Sequence, residues 1–264
     1  MLFRSMQRFK SFLHEGKNTP HAIWVVGGAA SGKSTVAEKA IVSDLKFTLI
    51  DVDKPFEEML KQFNLSPDIK KSTPEQLEKS RARKKKNDAL IKAGKMKAPT
   101  KMADMEDPMD FLKGSKPTTN RVSVVAREKT RRLKDSTIKN LQNVVFVETG
   151  GQIGRIRNEK AAMEKLGYNT FIVYVGVYAD LDLNLPVNFN KVRAKITERG
   201  LKRAKEGGRN LDPKILETSL KQSVKVQKEL VPLFGKNTMV VDTAQGSVSS
   251  NQKKVTQRIK KWLR

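Results

Sequence analysis

Residues 22–34 leave the backbone few choices. Ala22-Ile23-Trp24-Val25-Val26 is an unbroken apolar run, and it passes without a linker into Gly27-Gly28-Ala29-Ala30-Ser31-Gly32-Lys33-Ser34. A short, continuously apolar run predicts a strand buried on both faces, as in the interior of a parallel sheet. Thr35 to Ile41 then reads as helix. The segment between them fits G-x-x-x-x-G-K-[ST]. Glycines at those positions let backbone N–H groups curl around phosphate oxygens, and the helix start adds its positive dipole. In this pattern Lys33 reaches the β- and γ-phosphates and the Ser34 hydroxyl faces Mg²⁺. Gly28, Ala29, Ala30, Ser31, Gly32, Lys33, Ser34 and Thr35 are therefore candidate nucleotide-binding residues, with ATP and Mg²⁺ as the expected cofactors.

Further short apolar runs at Phe47–Ile50, Val144–Val147, Phe171–Val175 and Met239–Val241 alternate with helical patterns at 54–63, 122–141, 156–166, 192–204 and 213–230. Strands alternating with helices predict an α/β fold, here a five-stranded parallel sheet flanked by helices. The expected organisation is one P-loop domain over 1–264, with an insertion at 68–120 after the second strand and a lid at 190–210.

That insertion breaks the rhythm. Between Lys70 and Lys101 there are twelve Lys or Arg and three Asp or Glu. Ser72-Thr73-Pro74-Glu75 is a helix start, so Glu75 to Ala93 reads as a solvated helix. Gly94 to Asn120 has few large apolar residues and reads as loop or disorder. The whole chain carries a net charge of +25, which favours polyanionic partners or anionic substrates. It has no cysteine, which excludes disulfides, thiolate metal sites and cysteine nucleophiles, and only two histidines, which argues against a histidine-rich metal site or a Ser-His-Asp triad. No run reaches the roughly 18 apolar residues of a membrane span. Met1 to Gly16 has apolar residues at helical spacing and reads as an amphipathic helix. No membrane partner is expected, and the expected location is cytoplasmic.

The chain has no N-K-x-D base-reading motif of a GTPase and no convincing ABC signature loop, which leaves a small kinase. Such an enzyme needs an acid near the acceptor hydroxyl and cations over the transferring phosphate. Asp51 and Asp53 follow the second strand at the sheet edge where the glycine-rich loop lies. A carboxylate there can take the acceptor's proton or hold the metal's water shell, while Asp53 can equally cap the next helix. Glu148-Thr149-Gly150-Gly151 follows the third strand at the same edge. Glu148 is a candidate acid for the metal's surroundings or the acceptor. Lys195, Arg199 and Arg203 form one row along a helix, and Gly207-Gly208-Arg209 follows as a flexible break. This row can close over a triphosphate, or it can be a solvated basic face.

With these parts in order, the sequence resembles the zeta-toxin-like family of P-loop kinases, including its phage-encoded relatives. The resemblance rests on Gly27 to Thr35, on Ile50-Asp51-Val52-Asp53, on Val147-Glu148-Thr149-Gly150 and on Arg199, Arg203 and Gly207-Gly208-Arg209. Leu166-Gly167-Tyr168, leading into a strand, matches the family's helix-to-strand step. The resemblance implies an ATP-dependent kinase with Asp53 as base, Lys33 as the phosphate lysine and Arg199, Arg203 and Arg209 as clamps on the transition state. Ser34, Asp51 and Glu148 are the candidate residues around the metal, and the host cytoplasm is the expected location for a phage-encoded protein. Known members phosphorylate a sugar hydroxyl of a nucleotide-sugar. The acidic element here reads Glu-Thr-Gly where the toxins usually carry Glu-Gly-Thr. The expected acceptor is a nucleotide-like or other small anionic molecule. The alternative is a polynucleotide 5′-hydroxyl kinase or an ATP-dependent nucleic-acid-binding protein that uses the basic insertion.

Overall fold

In the computed structural model, the described residues are 19–66, 74–95, 102, 105–113, 116–206, 211–245 and 247–264. The amphipathic segment expected at 1–16 lies outside them. Five strands form one sheet: β1 (His21–Val26), β2 (Thr48–Ile50), β3 (Val144–Glu148), β4 (Asn169–Gly176) and β5 (Thr238–Asp242). Their order is β2-β3-β1-β4-β5 and every pairing is parallel. The α/β class and parallel sheet expected from the apolar runs are what the chain adopts.

Period-two alternation sorts β1 between the two faces of the sheet. Ala22, Trp24 and Val26 join Phe146, Ile172 and Tyr174 on one face. There they meet Ile156 and Met163 of α5 (Ile153–Lys165), and Val226, Leu230 and Phe234 at the end of α7. Helix α7 runs from Pro213 to Lys225 and continues as a π-turn (Val226–Leu230) and a 3₁₀ turn (Val231–Phe234). Trp24 stacks on Phe146 at 5.0 Å between ring centres. Ile23 and Val25 point the other way, toward α1 (33–45) and α8 (Val248–Trp262). Because both faces are covered, β1 can be apolar throughout without exposing any of it.

The chain divides into two compact units. The sheet and the helices just named belong to the described residues of Met1–Asp51, Leu133–Arg199 and Leu216–Arg264. The second unit comprises those of Val52–Arg132 and Gly200–Ile215. It holds α2 (Asp53–Gln62), α3 (Pro74–Lys92), a 3₁₀ turn (Pro108–Leu112) and most of α4 (Thr119–Lys139). Its core joins Phe56, Met59 and Leu60 of α2 to Val122, Val125 and Ala126 of α4, with Leu112 buried between. The described part of 94–120 is therefore more than loop. Arg132 donates to the carbonyls of Met102, Met105 and Glu106, fixing that segment on α4. The sequence reading missed this because the anchor is one leucine and one distant arginine, not a periodic pattern. Helix α6 (Pro186–Lys205) runs from the first unit into the second at Gly200.

Candidate functional site

The turn from β1 to α1 is built on close approach. A Cβ on Gly27 would stand 2.1 Å from the Val175 carbonyl oxygen of β4, so only glycine lets the two backbones meet there. Ala30 (φ 59°) and Gly32 (φ 95°) both take left-handed conformations. A chain with left-handed residues alternating in a turn forms a concave nest of N–H groups suited to an anion. Lys33 begins α1 and folds back to donate from Nζ to the Gly28 carbonyl at 2.8 Å. The amide of Ala29 donates to the Ser219 hydroxyl of α7 at 2.7 Å. Ser223, one turn further along α7, packs beside Gly28. Gly28, Ala29 and Ser31 also line a small cavity of about 20 Å³ together with Tyr174, Ser223 and Gln227. The buried Ser31 Oγ has no hydrogen-bond partner.

Asp51, buried at the end of β2, stands opposite the first turn of α1. The Ser34 hydroxyl lies 3.4 Å from Asp51 Oδ2, a long separation for a direct hydroxyl–carboxylate bond. Both are hard oxygen donors, and Mg²⁺ is held in such sites by one or two carboxylates together with substrate phosphates. The pair therefore fits a phosphate-bound Mg²⁺. Among the described residues there is no cluster of three or more His, Cys, Asp or Glu that would form an all-protein cage.

Glu148 ends β3, beside Val26 of β1, and so reaches the edge expected for it. Its side chain continues the Val144–Phe146 side of the strand, toward α5. There it pairs with Arg155, whose other partners are Gln152 and, at 3.9 Å, Glu159. Burial pushes the Glu148 carboxyl above the usual carboxylate range. Arg155 opposes that rise and Glu159 adds to it. Ser34 and Asp51 meet on the α1 side, so the sheet's alternation sends Glu148 to different partners from the other two candidate metal residues.

Asp53 is the first residue of α2, and the cap position falls on Val52, so Asp53 is not the cap. Arg199 and Arg203 lie on α6 as expected. Arg203 pairs with Glu57 of α2. Arg199 donates to Thr243, just past β5, through Nη1 to Oγ1 at 2.9 Å and Nη2 to the carbonyl at 2.6 Å. Lys195 pairs with Glu198 on its own helix. Arg209, with Gly207 and Gly208, lies outside the described residues.

Sequence reasoning missed Ser219 and Thr243. Ser219 carries no motif of its own. Thr243 could have been found from topology alone, because every strand of a parallel sheet delivers its following residue to the same edge.

No family model and no curated protein matches this chain. Solved structures resemble it at low identity. One, a protein of Chloroflexus aurantiacus proposed to be a kinase, is 14% identical with a TM-score of 0.47, covering 93% of this chain and 99% of its own. A gluconokinase from Sinorhizobium meliloti is 15% identical with a TM-score of 0.42, covering 94% and 95%. A structure from the PezAT toxin–antitoxin system of Streptococcus pneumoniae is 11% identical with a TM-score of 0.41, covering 98% and 94%. No helix among the described residues is long and apolar enough to cross a membrane.

Proposed function

We propose that the chain is an ATP-dependent phosphotransferase that phosphorylates a hydroxyl of a nucleotide-like or other small anionic acceptor. The observation that carries this reading is the pairing of a left-handed, amide-lined turn before Lys33 with Ser34 set opposite the buried Asp51. In this reading the nest and Lys33 hold the β- and γ-phosphates. Ser34 and Asp51 would hold Mg²⁺, which would supply charge neutralisation on the transferring group. Asp53 accepts the proton of the acceptor hydroxyl. The acceptor oxygen bonds to the γ-phosphorus as the bond from that phosphorus to the β–γ bridging oxygen breaks, and ADP leaves. Arg199, Arg203 and Arg209 stabilise the charge that spreads over the equatorial oxygens.

A second reading is polynucleotide 5′-hydroxyl kinase activity, or ATP-dependent nucleic-acid binding. One observation favours it: α3 has no buried side chain among those described, and it exposes Lys79, Arg81, Lys85, Lys86 and Lys92. Incubation with γ-labelled ATP, a metabolite extract and a 5′-hydroxyl oligonucleotide separates the two. Label on a small metabolite supports the first reading, and label on the oligonucleotide supports the second. Lys33→Ala should abolish transfer in either case. Absence of nucleoside triphosphate binding in the wild type, with Lys33→Ala indistinguishable from it, overturns both.

A further inference from the structure

Thr243 occupies the centre of a hydrogen-bond network that ties together three separate segments at the sheet edge. Its amide donates to the Gly176 carbonyl at the end of β4. Its hydroxyl lies 2.8 Å from the Ser31 carbonyl in the glycine-rich loop and 2.9 Å from the Gly176 carbonyl. The same hydroxyl, with the Thr243 carbonyl, receives two N–H bonds from Arg199. A threonine hydroxyl has one proton to give and two lone pairs to accept with, so this oxygen can serve the loop and the arginine at once.

The platform is itself fixed. Asp242 Oδ1 accepts from the amides of Tyr178 and Ala244, gripping the turn on both sides of Thr243. Asn251 of α8 donates to the Asp242 carbonyl. The Thr243 methyl lies 3.5 Å from where a Cβ on Gly32 would stand, so it also backs the left-handed residue that precedes Lys33.

We propose that Thr243 is a positioning residue, presenting Arg199 to the phosphates held by the loop. This rests on the phosphotransferase reading above. A guanidinium has five N–H donors in a rigid plane. Thr243 engages two, leaving three in the same plane, one residue's reach from the Ser31 carbonyl that Thr243 also bonds. An arginine already held in that way loses little side-chain freedom when the γ-phosphate arrives, so its attraction is spent on the phosphate. Discrimination of triphosphate from diphosphate therefore depends on a residue that touches neither.

Isothermal titration calorimetry with ADP and with the non-hydrolysable analogue AMP-PNP tests this, because it needs no acceptor. The readout is the ratio of the two dissociation constants. Thr243→Val keeps the methyl packing and removes the hydroxyl, and should lower the preference for AMP-PNP roughly tenfold, the worth of one hydrogen bond to a charged group. Thr243→Ser keeps the hydroxyl and should restore the preference to within about twofold of wild type. Arg199→Ala should lose it as well, and adding Thr243→Val to Arg199→Ala should change the ratio no further. A purely structural threonine would weaken both ligands alike and would act in full in the Arg199→Ala background, and either result overturns the proposal. So does an unchanged ratio in Thr243→Val. Should Thr243→Val fail to fold, Arg199→Lys decides: it keeps the charge but lacks the planar fork, so a retained preference refutes the role of the paired contact and a lost one supports it. A wild type that binds neither nucleotide refutes the phosphotransferase reading itself, and is recognised by Lys33→Ala behaving identically.

Discussion

Gly27→Ala adds one methyl group where two main chains already touch. The new Cβ would stand 2.1 Å from the Val175 oxygen and 3.1 Å from its carbonyl carbon, both backbone atoms with no rotamer to escape into. Carbon–oxygen contacts settle at about 3.3 Å or more. The loop and the end of β4 must therefore part by about 1 Å, next to the ladder that joins β1 to β4. Overpacking of this kind typically costs about 1–3 kcal/mol, and a clash with backbone on both sides belongs at about 3. In a chain of this size 1 kcal/mol moves the melting temperature by roughly 2–4 °C, so the expected loss is roughly 6–12 °C. Gly28→Ala is the matched control. Its Cβ would meet Ser219 and Ser223 atoms at 3.6–3.7 Å, an ordinary contact. It should melt within about 2 °C of wild type, since an unstrained Gly→Ala change is neutral to mildly stabilising. Differential scanning calorimetry at one scan rate compares the three proteins. If Gly27→Ala melts with the wild type, or Gly28→Ala falls as far, backbone approach is not what requires glycine at position 27.

Other expectations concern the chemistry and the second unit. Asp53→Asn should slow phosphotransfer roughly 10²–10⁴-fold, as loss of a general base does, while Asp51→Asn should chiefly raise the Mg²⁺ concentration needed; full activity of Asp53→Asn at saturating ATP removes that residue as base. Leu112→Ala empties a buried position between α2 and α4 and should cost about 2–5 kcal/mol in urea unfolding; a cost under about 0.5 means that the 108–112 turn is not part of that core. Glu128 accepts hydrogen bonds from Arg131 and Arg132, which hold its carboxyl at about 2. A depressed carboxylate stabilises the fold above its unfolded value of about 4.3, and this contribution fades as pH falls toward the folded value. The melting-temperature gap between wild type and Glu128→Gln should therefore close as pH is lowered through that window, and a gap unchanged down to pH 2 contradicts the pairing.

Legibility in the sequence followed the range of the forces involved. The strands were readable because each is a continuous apolar run, and burial on both faces demands that. The glycine-rich loop was readable because its conformation needs particular residues at fixed spacing. Asp51 was readable because the end of β2 must reach the loop's edge. Glu148 reached that edge too, yet which side of the sheet a strand-end residue takes depends on register, and register is set by pairing with distant strands β1 and β2. Ser219 and Thr243 carry no spacing signal, since their partners come from distant elements. The 3₁₀ turn at Pro108–Leu112 was hidden because the surrounding charge outweighs its one buried leucine.

The central strand has a consequence for how the chain is made. β1 is synthesised well before its neighbours β3 and β4, which begin at Val144 and Asn169. At roughly 5–20 residues per second, a ribosome needs several seconds or more to deliver the first of them. Throughout that wait His21–Val26, buried without exception in the finished sheet, has no partner on either side. A naked apolar strand is a template for pairing with its own copies. Yield in cells should therefore depend on how quickly translation proceeds through 27–144 and on holdase chaperones that shield nascent chains, more than on the final stability of the fold.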